Sequence, residues 1–233
     1  MADVAAQYRA ELAALTPSEM PGYLTAHSGL PGPRANLELL DVAGDLLPDG
    51  LIWDCLGRDD DYLACCGVVG LSRLVLAAPE DGSLVGRLRT AAADGRWRVR
   101  EAAAIAVQRI GDHDPVLLRR LVADWVADPD PLVIRAGIAA ICEPRLLTDP
   151  LTATAALAAC EQATAALAAV PPPARRGESV RVLRQGLAYC WSVAVAALPQ
   201  PGLAQFFAIE TTDSDLAWVV KQNLAKQRMK RLL

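Results

Sequence analysis

Apolar residues recur along the chain at three- and four-residue spacing, and no stretch alternates β-branched and polar residues over strand length. The pattern predicts helices from end to end, separated by short breaks rich in proline, glycine and aspartate. Thr16-Pro17-Ser18-Glu19 reads as a capping box with proline at the first helical position, and Pro21-Gly22 should delay or distort the helix it opens. Further breaks are expected at residues 28–33, 48–50, 79–82, 111–115, 171–177 and 198–202. The alanine-rich run 151–170 has membrane-spanning length. It is interrupted by threonines, Glu161 and Gln162, and alanine is only weakly lipophilic, so close packing between helices is expected there and no membrane span.

The pattern also repeats. The segment Asp94-Gly95-Arg96-Trp97-Arg98-Val99-Arg100-Glu101-Ala102-Ala103 matches Pro129-Asp130-Pro131-Leu132-Val133-Ile134-Arg135-Ala136-Gly137-Ile138 at an offset of 35 residues. One further step back from Trp97 lands on Tyr62, preceded by Asp59-Asp60-Asp61. Asp215-Leu216-Ala217-Trp218-Val219-Val220-Lys221 is a fourth copy, and Val182-Leu183-Arg184 is a weaker one. Each unit is an acidic turn, an aliphatic–basic step and a helix of small residues, at a period that suits stacked helix pairs.

This arrangement resembles HEAT repeats, particularly the short bacterial HEAT-like repeats of the phycobilisome-lyase type. The resemblance implies an all-α fold, an α-solenoid of antiparallel helix pairs (HEAT/armadillo-like). Residues 1–58 would form an N-terminal helical cap or degenerate repeats, and 59–148 the clear repeats. Residues 149–233 would add the alanine-rich helix, a proline-rich spacer and C-terminal repeats to one continuous solenoid. It also implies a structural ladder in which turn acids Asp94, Asp130 and Asp215 meet the second-helix bases Arg100, Arg135, Arg184 and Lys221. Cys65 stands at the basic position of the Tyr62 unit, so the ladder should end or change there.

Composition narrows the class. With 53% hydrophobic and 21% charged residues the chain is globular, and 5% aromatics favours closely packed helices. Six irregularly spaced cysteines do not make a disulfide framework; they are expected reduced, in the cytoplasm. Met1-Ala2-Asp3 offers no positive n-region, so no secretory leader is expected. The net charge of −4 conceals a gradient, from three basic and ten acidic residues in 1–60 to nine basic and five acidic in 151–233.

Signatures of chemistry are sparse. There is no C-x-x-C, no phosphate-binding glycine loop and no nucleophile elbow, and His27 and His113 lack neighbouring ligands, so no metal or cofactor is expected. Arginines outside the repeat are the better binding candidates: Arg96 and Arg98 flanking Trp97, and Arg119-Arg120, with Arg175-Arg176 on the spacer. Trp97 and Trp218 are expected as packing anchors, and Trp125 and Trp191 as core. The primary expectation is a non-catalytic scaffold that binds another protein through Arg96, Trp97, Arg98, Arg119 and Arg120. The alternative is nucleic-acid binding. DNA alkylation repeat glycosylases are HEAT-like, and Trp53-Asp54 is similar to their Trp-Asp pair, which would place a lesion near Trp53, Asp54 and Trp97, although Gly57 stands where the catalytic acid would be sought. The lyase-type resemblance implies a weaker third role, as a helper for a cofactor-modifying enzyme. The loop His27-Ser28-Gly29-Leu30-Pro31-Gly32-Pro33-Arg34-Ala35-Asn36 is expected to cap the first repeat, and its His, Arg and Asn also suit a ligand.

Overall fold

A computed structural model describes residues 4–233; Met1-Ala2-Asp3, on which the leader expectation rests, lie outside the described residues. Helices and turns account for the regular structure, with no strand among the described residues. The fold is all-α, of the helical-repeat, solenoid-like class, in which each helix packs chiefly on helices close to it in sequence. The chain forms two compact units, Met1–Ile110 and Gly111–Leu233.

The first unit contains α1 (Val4–Ala13), α2 (Met20–Ala26), α3 (Leu37–Leu46), α4 (Asp49–Leu56), α5 (Asp61–Ala77), α6 (Gly82–Ala92) and most of α7 (Trp97–His113). Its centre is α5, against which α2, α3, α4 and α6 all pack. Residues 62–72 of α5 are buried without a break, because helices cover it on more than one side. Cys65 and Cys66 therefore both lie in the interior. The α4–α5 contact is close enough that a Cβ added at Gly67 would sit 2.7 Å from the Leu56 nitrogen and 3.0 Å from the Ile52 carbonyl oxygen.

The second unit holds α8 (Pro115–Val126), α9 (Pro131–Ile141), α10 (Pro150–Ala169), α11 (Glu178–Ala197), α12 (Pro199–Phe207), α13 (Ser214–Leu224) and the short α14 (Gln227–Lys230). Here α11 is the hub, contacting α9, α10, α12, α13 and α14. The alanine-rich run is α10, which packs on α8, α9, α11 and α12 with small residues at the contacts. No helix of the described residues is long and apolar enough to cross a membrane.

Most of the expected breaks prove to be helix starts. Side chains of Asp60, Asp81, Asp114, Asp130, Asp149 and Asp213 each accept a hydrogen bond from a first-turn N–H of the helix that follows. Pro115, Pro131, Pro150 and Pro199 occupy first-turn positions, where the missing N–H costs nothing. The break at 111–115 is shorter than expected, since α7 runs on through Gly111 to His113. At the predicted capping box, Glu19 accepts from the Thr16 N–H at 2.8 Å and its hydroxyl at 2.6 Å, yet α2 opens only at Met20.

The tryptophans divide differently from expectation. Trp125 and Trp191 are core, and Trp191 Nε1 donates to Thr164 Oγ1 at 2.9 Å. Trp97 is no packing anchor: as the first residue of α7 it stands at the rim, 53% exposed. Trp218, its repeat equivalent, is half-buried with the Arg184 guanidinium over its ring at 4.8 Å.

Candidate functional site

The loop 27–36 is tied shut by one residue. The Asn36 N–H donates to Ser28 O at 2.8 Å, and its side-chain amide donates to Tyr8 Oη at 2.9 Å and His27 O at 3.0 Å. Its Oδ1 accepts from the Leu39 N–H and so caps α3, while the Tyr62 hydroxyl donates to Asn36 O at 2.6 Å. Gly29 turns the chain at φ +74, in the left-handed region that favours glycine, and a Cβ there would lie 2.7 Å from Arg34 O. Pro33, Arg34 and Ala35 are thereby fixed as one wall of a cavity.

The start of α7 supplies the opposite wall. The Asp94 carboxylate accepts from the Arg96 N–H at 2.7 Å and takes two bonds from the Arg96 guanidinium, each of 3.0 Å. Arg96 also reaches Arg58 O at 3.1 Å, and buried Arg100 donates to the Asp94 and Gly95 carbonyls at 2.7 and 3.0 Å. With this turn locked, Trp97 and Arg98 project at the edge, the Arg98 guanidinium 4.5 Å from the Trp97 ring centroid. Between the walls lies a cavity of about 350 Å³, floored by Leu40, Tyr62, Cys65, Ala102 and Ile105 and rimmed by Arg34, Leu37, Arg98 and Glu101.

The floor is electrically neutral. Burial pushes the Cys65 thiol up to about 12, with nearby Asp61 adding to the rise, and burial raises the Tyr62 phenol as well. Neither is a nucleophile or base near neutral pH. The rim carries unspent positive charge. Arg98 Nε is buried without a hydrogen-bond partner, its Nη2 is 3.5 Å from Gly32 O, and its Nη1 is 4.0 Å from the Asp61 carboxylate. Arg34 is exposed and has no ion-pair partner among the described residues. By contrast, Asp94 is held below the usual carboxylate range by Arg96, so that pair is already satisfied.

Arg96, Trp97 and Arg98 thus sit together at one edge. Arg119 and Arg120 lie on α8, in the second unit. Arg119 is occupied there by Asp149 at 2.8 Å and Thr152 Oγ1 at 3.0 Å, and Arg120 is exposed on the same helix. Trp53 is exposed on α4, and Asp54 pairs with Arg58 at 2.6 Å one turn along. Neither lines the cavity beside Trp97. The ladder residues take several roles. Arg184 pairs with Asp215 between α11 and α13, and Arg135 packs against Gly186 of α11. Asp130 caps α9, Arg100 binds carbonyls of the turn before its own helix, and Lys221 is exposed.

Two polar residues that sequence reasoning missed hold helices together. Arg109 of α7 pairs with both Asp41 and Asp45 of α3, and Arg9 of α1 also meets Asp45 at 2.5 Å. The spacing of Asp41 and Asp45, four apart on one helix face, was the available signal. Asn223 is fully buried on α13; it donates to Leu187 O at 2.9 Å and accepts from the Ser192 N–H at 2.8 Å. Among the described residues, no cluster of His, Cys, Asp and Glu could hold a metal ion.

Comparison with known proteins adds little to this geometry. No protein-family model matches the chain, and no curated protein does. The crystal structure of an engineered protein from a structural genomics consortium aligns over 99% of this chain and 100% of its own, at 14% identity and a TM-score of 0.39.

Proposed function

We propose that this chain is a non-catalytic interaction module of HEAT-like repeats that holds a protein partner at the cavity between the 27–36 loop and the start of α7. The observation that carries this reading is the pairing of exposed Trp97 with Arg98 at the mouth of an apolar cavity, beside Leu37, which is 60% exposed. Tryptophan and arginine dominate the energetics of protein interfaces, and an exposed aromatic next to a preformed apolar pocket is a docking anchor. The occupant is defined by charge. An aliphatic or aromatic side chain fills the neutral floor, and an adjacent carboxylate pairs with the rim guanidinium groups of Arg98 and Arg34.

The test is selection from a displayed peptide library. Enriched sequences should share an apolar residue next to Asp or Glu, and Trp97→Ala should weaken their binding about tenfold or more, at roughly 2 kcal/mol for an anchor residue. Arg98→Ala should release the acidic preference, while Trp53→Ala leaves binding unchanged. Enrichment that survives Trp97→Ala overturns the site. A DNA duplex with an abasic-site analogue serves as the opposing arm. The first unit carries ten basic and fifteen acidic residues, so weak binding is expected at any salt concentration. Salt-sensitive, lesion-selective binding lost in Asp54→Asn would favour the DNA-repair alternative instead.

A further inference from the structure

A second cleft lies in the unit Gly111–Leu233, where the 3-10 turn Ala174–Arg176, the first turns of α11 and the start of α13 meet. Its volume is about 520 Å³, and four guanidinium groups line it against two carboxylates. Both carboxylates are spent. Arg175 donates to Asp213, lies 3.5 Å from Asp215, and is fixed further by bonds to Val170 O at 2.7 Å and Ala168 O at 2.8 Å. Asp213 also caps α13, and Asp215 takes Arg184. Arg184 retains a buried Nε with no partner. Arg176 and Arg181 are exposed and have no ion-pair partner among the described residues, and Glu178, close to both in sequence, does not line the cleft.

We infer that this cleft binds a phosphate monoester, with Arg176, Arg181 and Arg184 as its donors and the Ser214 hydroxyl on the same wall. The surplus of two positive charges calls for a compact dianion, and the guanidinium fork matches phosphate oxygens in geometry as well as charge. The lining is polar, so it does not suit an apolar group. It also offers no free aromatic face for a nucleobase, since the nearby Trp218 ring is already covered by Arg184. The site is independent of the Trp97 cavity, and its success or failure leaves that reading untouched.

Titration of the full chain with inorganic phosphate and with phosphoserine tests it, followed by NMR of arginine Nε–Hε groups and backbone amides at fixed ionic strength. Serine and chloride are the controls. Saturable shifts are expected at Arg181, Arg184 and Ser214. The double variant Arg176→Ala/Arg181→Ala should weaken binding about tenfold or more while its thermal midpoint stays that of the parent, because both side chains are exposed and unpaired. Tighter binding of phosphoserine identifies a phosphorylated side chain as the natural source, and equal or weaker binding identifies the free oxyanion; both support the site. Shifts that chloride reproduces, that fail to saturate, or that persist in the double variant overturn it.

Discussion

Asn223 has more influence on the second unit than a single amide suggests. It occupies a main-chain N–H and a main-chain carbonyl of α11 from a neighbouring helix, with no exposure to water. Asn223→Ala removes both of these bonds between α13 and α11, each worth roughly 0.5–1.5 kcal/mol. A loss of about 1–3 kcal/mol in urea-unfolding stability is expected, whereas Lys221→Ala, two residues earlier and exposed, should change it by less than about 0.5 kcal/mol. The repeat made Arg100 and Arg184 equivalent in sequence, but they find different acceptors: carbonyls of a turn in one case, Asp215 in the other. Trp97 and Trp218 are likewise equivalent by position yet differ in exposure. A repeat period gives a residue's register on its helix. It does not give the acceptor nearest a long side chain, or which neighbour covers a first-turn tryptophan, because those depend on the adjoining loop.

At the level of elements, most of the fold was legible because its signals are local. An aspartate followed by proline or a small residue both ends one helix and caps the next, so the breaks and the starts were the same positions. The cavity was less legible. Its loop wall exists because Asn36 gathers Ser28, His27, Tyr8 and Tyr62, and these contacts run between residues up to 28 positions apart, beyond any local pattern. Helix proximity gives a paired prediction about glycine. Gly67→Ala pushes a methyl group into α4 backbone and should destabilise the protein by about 1–3 kcal/mol. Gly86 lies within α6 with nothing inside 4 Å of its would-be Cβ, so Gly86→Ala should stabilise by about 0.5–1 kcal/mol. Thermal unfolding of the two variants checks both signs.

For the molecule as a whole, stability should be flat near neutral pH and fall at both ends. Asp94 is held below its usual range by Arg96, and Asp213 by Arg175. Burial would raise Asp45, but its bonds to Arg9 and Arg109 outweigh that and leave it lowered. These groups stabilise the fold above the ordinary carboxylate value of about 3.9, and that contribution is lost as pH falls through their lower folded values. Thiols act in the opposite direction. Burial raises Cys55 from 9.0 to about 11 and Cys65 to about 12, so their contribution is complete below pH 9 and is lost as pH rises through the folded values. Urea midpoints measured from pH 2 to 11 should be level between about 5 and 8 and drop on either side. A steady change across the neutral range would contradict the assignment.

Five of the six cysteines give the chain a clock. Cys55 and Cys66 are sealed in one unit and Cys142, Cys160 and Cys190 in the other, whereas Cys65, though buried, stands on the floor of the Trp97 cavity. An alkylating reagent in the surrounding solvent can reach one of the five sealed sulfurs only during the moments when the helices over it part. The rate at which each sulfur acquires its label therefore counts those openings, site by site, without a foreign probe, and breathing in each unit is timed from within its own interior.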